Sequence, residues 1–151
     1  MKYLKLITIA FSLFSFISTG WAEDRGTREE AKQLALEAAS FLSKMGEEKA
    51  FSEFQNPEGI FRKKDLYVFV QDFKCNFFAH GLNPKLVGKN IWNLKNPNGR
   101  FACQDIVHAT QKDGQAWTDY IFQDPHTGKL AEKTTFSIEV GHYIVMVGVY
   151  K

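Results

Sequence analysis

Apolar positions recur along this chain with two different periods. From Ala31 to Met45 they fall three and four apart, at Ala31, Leu34, Ala35, Ala38, Leu42 and Met45, which is one stripe of a helix. Thr27 followed by Glu30 forms a capping box at its start, and Gly46 suits the position just past its end. A second helix runs from Glu47 to Phe54 with Phe51 and Phe54 on one side, and Asn56-Pro57-Glu58-Gly59 breaks it. Ile60 and Phe61 are expected to tuck under a sheet, and Arg62-Lys63-Lys64-Asp65 to form a solvated corner. The period then drops to two. In Leu66–Asp72, Tyr67, Phe69 and Gln71 share one face and Leu66, Val68, Val70 and Asp72 the other. Both faces are largely apolar, so this strand is expected to be central and covered on both sides.

A turn at Phe73-Lys74-Cys75 leads into a second strand, Asn76–His80, and then a loop over 81–96. Asn96-Pro97-Asn98-Gly99 is another turn, and Arg100–Lys112 reads as a helix with Ala102, Ile106 and Ala109 on one side, closed by Gly114. Three strands finish the chain, Gln115–Phe122, Lys133–Val140 and Tyr143–Tyr150, with Gly141-His142 as a two-residue connection of type II′. The order of elements predicts an α+β domain: an antiparallel sheet of about five strands with helices packed on it. No internal repeat and no low-complexity tract interrupts it.

The first residues change the picture of where this domain works. Lys2 and Lys5 precede an apolar run from Leu6 to about Ile17, and small residues stand at Gly20 and Ala22. That is the layout of a secretory signal peptide, with cleavage expected after Ala22 and residues 23–151 as the mature domain. The alternative is an uncleaved membrane anchor, for which the run is short of the roughly 20 apolar residues a span needs. Cleavage removes two lysines and no acid, so the formal charge of +2 falls to zero. No basic stripe remains, which argues against a nucleic-acid partner. Export permits a disulfide, but the spacing of Cys75 and Cys103 leaves open whether they meet. CxxC and CxxCH motifs are absent, which leaves zinc-ribbon, dithiol and haem sites without support.

Several side chains carry candidate chemistry. His80 ends an apolar strand and precedes Gly81; its ring either faces a cavity, where it can donate to a carboxylate, or bonds to the loop backbone. Lys133 begins a predicted strand, where its ammonium either holds an anion or lies solvated at the edge. Trp117 and Tyr120 lie on opposite faces of a regular strand, and Tyr120 offers a phenol hydroxyl. Lys85 and Lys89 either add positive potential or are simply exposed. Catalysis has little support: there is no GxSxG or HExxH, and no spacing that forces two carboxylates together. His80, His108, His126 and His142 fall on four different elements and specify no metal site.

The segments LYVFVQD, FFAHGLNPKLVGKNIWNLKNPNGRF, GQAWTDYIFQDPHTGK, EKTTF and YIVMVGVYK together resemble the single Cache domain family in its small stand-alone exported form. The resemblance covers roughly Phe54 to Lys151, and AHGxNPxLVGKN and the closing VGVY are its most specific pieces. It implies a PAS-like antiparallel sheet with a long N-terminal helix, and a sensory function outside the cytoplasm without catalysis or cofactor. It further implies a ligand that is a small organic anion such as acetate, propionate or pyruvate. The family's histidine, tyrosine and lysine positions fall on His80, Tyr120 and Lys133, and aromatic wall positions on Tyr67, Phe69, Trp92, Phe101 and Trp117. Two departures stand out. Lys74-Cys75 replaces the usual turn glycine, and Phe136 stands where a tyrosine is common, which implies that one ligand hydrogen bond is absent here. No signalling domain follows Lys151 in this sequence, so the ligand-bound state is expected to be read by a partner, a membrane receptor or kinase. The competing expectation is an accessory or adaptor protein with a collapsed pocket and protein contacts only.

Overall fold

The computed structural model describes residues 25–151; the expected signal segment, residues 1–22, lies outside them. Helix α1 spans Arg28–Met45, and the predicted capping box is made in both directions: Thr27 Oγ1 accepts from Glu30 N at 3.2 Å, and Glu30 Oε2 accepts from Thr27 N at 2.8 Å. Gly46, at φ +78°, ends α1 and starts α2, Glu47–Gln55. The left-handed region, which a side chain would resist, lets the chain turn without a longer loop.

Six strands follow where five are expected: β1 Arg62–Lys63, β2 Leu66–Asp72, β3 Phe77–His80, β4 Gln115–Gln123, β5 Leu130–Val140 and β6 Tyr143–Tyr150. The additional one is the supposed solvated corner. Arg62 pairs with Tyr67 and Lys63 with Leu66, across a tight turn in which Lys64 adopts φ +56°. All pairings are antiparallel, and the path through the sheet is β1-β2-β6-β5-β4 with β3 also on β2. The β2–β3 reversal does without its glycine because Cys75 takes φ +61°. There the Asp72 carboxylate gathers the backbone N–H groups of Lys74 and Asn76 at 2.8 and 2.9 Å. Helix α3, Ala102–Asp113, lies before β4, and Cys75 and Cys103 are joined, tying the hairpin turn to its first turn. Gly141 takes φ +61°, in keeping with the predicted β5–β6 turn.

The sheet is covered on both sides, as the two-faced pattern of β2 requires. One face packs Leu66, Val68, Val70, Val145 and Val147 against Ala31, Leu34, Ala38 and Leu42 of α1 and Phe54 of α2. The other gathers Tyr67, Phe69, Ile144 and Met146 with Ile106 and Val107 of α3. No helix among the described residues is long and apolar enough to cross a membrane.

Candidate functional site

Between the second face, the loop after β3 and α3 lies a cavity of about 560 Å³. Register explains what reaches it. Tyr120 on β4 is opposite Lys133 on β5, which is opposite Tyr150 on β6, so one row across three strands carries two phenols and an ammonium to the same side. Strand β5 begins at Leu130, not at Lys133, because its first residues continue the ladder to Gln123. Lys133 is therefore an interior strand residue, 2% exposed, and the solvated-edge reading fails.

Its side chain crosses β6 at Gly148, where an added Cβ would stand 2.4 Å from Lys133 Cε. That passage brings Nζ to 2.8 Å from the Tyr67 hydroxyl. The ammonium lies 4.8, 5.1, 5.5 and 4.9 Å from the ring centroids of Tyr67, Phe69, Phe122 and Tyr150, within cation–π range. Among the described residues no carboxylate pairs with it. Burial works against the charge, but the phenol oxygens of Tyr67, Tyr120 and Tyr150 outweigh it and hold the Lys133 pKa above the ordinary lysine value. Burial in turn pushes the Tyr120 and Tyr150 phenols up, so all three groups keep their protons at neutral pH. Tyr120 shares a 2.8 Å hydrogen bond with Thr135, and Tyr150 donates to Gln123 O at 2.9 Å.

His80 satisfies both of its readings at once. Its Nδ1 accepts from Asn83 N at 2.9 Å and Leu82 N at 3.3 Å, while the ring lines the cavity between Tyr67, Phe69 and Phe77. Burial, with the Lys133 and Arg62 charges behind it, lowers the His80 pKa to about 3. The ring is neutral at physiological pH. With Nδ1 occupied as an acceptor, the proton sits on Nε2, and an N–H donor is what the ring offers to the cavity. Gly81 allows this strand end to lie against its neighbours: an added Cβ would come within 2.8 Å of Phe54 O.

Of the eight residues singled out in the sequence, His80, Tyr120, Lys133, Tyr67 and Phe69 line the cavity, and Trp92, Phe101 and Trp117 do not. Trp117 is three residues from Tyr120, an odd separation, so it lies on the α1 face, where its ring meets Phe136 at 5.2 Å and Arg28 at 4.3 Å. Phe136 is on that face for the same reason, three residues from Lys133, so the tyrosine it replaces would carry no hydroxyl into this cavity. The supposed missing ligand bond is not a feature of the site. Trp92 packs, half-buried, against the core of the cavity face without lining the cavity, its ring 6.4 Å from His108 of α3, and Phe101 precedes α3 with Lys95 over its ring. Lys85 and Lys89 are exposed and stand apart from the cavity wall. Sequence reasoning missed Tyr150, Phe122, Gln71 and Gly148. A glycine inside the last strand was the available signal, since such a residue marks a close approach. No three His, Cys, Asp or Glu side chains among the described residues come together to hold a metal.

Comparison with known proteins adds the following. The family model described as Single Cache domain 2 matches residues 2–151. The sensor histidine kinase MctS of Rhizobium johnstonii is 35% identical over 89 residues, which is 58% of this chain and 19% of that protein. The chain thus spans about a fifth of the length of this relative. Among solved structures, a Cache chemosensory domain described for carboxylic acid recognition has a TM-score of 0.71 at 20% identity, covering 81% of this chain and 91% of that one. A methyl-accepting chemotaxis protein from Vibrio parahaemolyticus gives 0.69 at 20% identity, covering 81% and 86%. A periplasmic sensor domain of a chemotaxis protein gives 0.65 at 21% identity, covering 81% and 88%. At these identities the likeness is one of fold.

Proposed function

The chain belongs to the single Cache domain family, and on that premise we propose that it is an exported sensory domain that binds a small organic anion, a carboxylate of the acetate, propionate or pyruvate kind. One observation carries the reading. Lys133 holds a buried ammonium that phenol oxygens favour but that no carboxylate among the described residues neutralises, and a buried charge without a counter-charge is costly, several kcal/mol per ion. A ligand carboxylate supplies the missing charge. The His80 Nε2–H and the Tyr67 hydroxyl, which accepts from Lys133 and keeps its own proton, supply donors for its oxygens, joined by Tyr120 when Thr135 donates in their shared bond, in a low-dielectric setting that strengthens each contact. Aromatic walls exclude water and take the ligand's apolar part. The cavity's volume favours this reading over an adaptor with a collapsed pocket. The closed Cys75–Cys103 bridge is in keeping with an oxidising compartment.

The occupied state is then read by a membrane receptor or kinase, in line with the sensor histidine kinase among the relatives. Isothermal titration of carboxylates from acetate to hexanoate tests the proposal. At least one should bind, and Lys133→Ala should weaken it about a hundredfold, the worth of a charge-assisted buried contact. Absence of heat with all of them would sink the idea, as would equal affinity in the variant.

A further inference from the structure

The ammonium occupies one end of the cavity. At the other, on the same face of β2, stands Gln71, which is 1% exposed and lines the cavity wall. Four residues separate it from Tyr67, about 13 Å along the strand at roughly 3.3 Å per residue. Its amide meets two sulfurs: Oε1 is 3.2 Å from Cys103 Sγ, and Nε2 is 4.0 Å from Cys75 Sγ. Those sulfurs are bonded to each other. A disulfide sulfur carries no hydrogen, so it donates nothing to Oε1. For Nε2 it is a weak acceptor at the limit of reach. Gln71 thus keeps a buried carbonyl without a donor and an N–H with hardly an acceptor, a condition that costs about 1–3 kcal/mol per group.

Phe69, Phe77 and Ile106 line the wall along with these two ends. A ligand of acetate size placed on Lys133 would leave that wall and Gln71 untouched. We propose that the ligand is a longer monocarboxylate carrying a neutral hydrogen-bonding group, a hydroxyl or amide, at its far end, and that Gln71 reads that group. The inference rests on the carboxylate reading of Lys133 and lengthens its ligand beyond acetate, propionate or pyruvate. A hydroxyl satisfies both needs of the amide, donating to Oε1 and accepting from Nε2. A second carboxylate does not: it cannot donate when ionised, and Gln71 offers no charge to offset its burial.

The test is titration of the full chain, with its disulfide formed, against hexanoate, ω-hydroxyhexanoate and adipate. ω-Hydroxyhexanoate should bind about tenfold more tightly than hexanoate, the worth of one buried hydrogen bond, and adipate more weakly than either. In Gln71→Met the hydroxyl preference should vanish, with ω-hydroxyhexanoate binding no more tightly than hexanoate. Equal binding of hexanoate and ω-hydroxyhexanoate to the unaltered protein overturns the inference, as does adipate as the tightest of the three. If hexanoate binds and requires Lys133 but no hydroxyl preference exists, only this inference fails. If none of the three binds while a shorter carboxylate does, this inference alone fails; if no carboxylate from acetate to hexanoate binds, the carboxylate reading fails with it. The ligand comparison is made in the unaltered protein, so it stands even where Gln71→Met folds poorly.

Discussion

Val68, Val70, Val145 and Val147 point to one side of the sheet and meet Ala31, Leu34 and Ala38, small and branched apolar side chains that leave nothing polar to satisfy. Tyr67, Phe69 and Gln71 alternate with them on β2 and point to the other side, where Lys133, His80 and Tyr120 are buried beside a cavity. The same strands build both faces. One face gains its stability from close packing, which is sensitive to every methylene. The other holds polar groups at a cost in stability, and a binding site is the natural place for such a cost. The two faces should therefore respond differently to substitution. Loss of volume should damage the α1 face most, and loss of charge should spare the stability of the cavity face while removing its binding.

Phe54→Ala should have the largest effect. The ring is fully buried against Phe61 at 4.9 Å and Phe41 at 6.2 Å, and the variant should lose about 3–5 kcal/mol of stability in urea denaturation, with ligand affinity unchanged in whatever remains folded. Opening the Cys75–Cys103 bridge, which closes a separation of 28 residues, should cost about 3.5 kcal/mol. Unlike Phe54→Ala, it should also weaken binding, because Cys103 begins the α3 wall of the cavity. Denaturation and titration with and without reductant read both effects.

Acid should act on the cavity face through His80. An unfolded histidine takes up its proton near 6.5, while folded His80 resists until about 3. Between those values the unfolded state binds the extra proton, so stability is full above pH 6.5 and falls toward pH 3, on the order of a few kcal/mol. Subtracting the pH dependence of His80→Gln from that of the unaltered protein isolates this slope from those of the carboxylates. Equal slopes would show that His80 protonates in place. Gly148→Ala is the mildest change, one methyl group. Its Cβ needs the space of Lys133 Cε, so it should cost about 1–3 kcal/mol and weaken carboxylate binding at least as much as it weakens folding.

What was legible in the sequence follows from which interactions are local. The α1 cap, its apolar stripe and the two-faced alternation of β2 were readable because each depends on residues a few positions apart. Tyr120 and Lys133 were candidates by residue type and position, the family resemblance set them above the readings of packing and solvation, and their meeting depends on the β4–β5 ladder starting at Leu130. Trp117 was counted on the face opposite Tyr120, yet the resemblance set it in the pocket wall, and the resemblance likewise set Phe136 at the ligand. The alternation of the strands overrules both. The β1 pairing and the disulfide could not be read, since a basic corner and a cysteine separation carry no information on which backbones approach.

The central claim is that Lys133 is buried for a ligand's sake and not for the fold's. Thermal unfolding of the unaltered protein and of Lys133→Met, each with and without the tightest carboxylate found by titration, tests it most directly. An apolar replacement of a buried charge is often neutral or stabilising, so without ligand the variant should melt at the same temperature or higher. Ligand at a hundred times its Kd should stabilise the unaltered protein by about 2.7 kcal/mol and leave the variant's melting unmoved. A variant that melts far lower without ligand, or that the carboxylate still stabilises, would contradict the account.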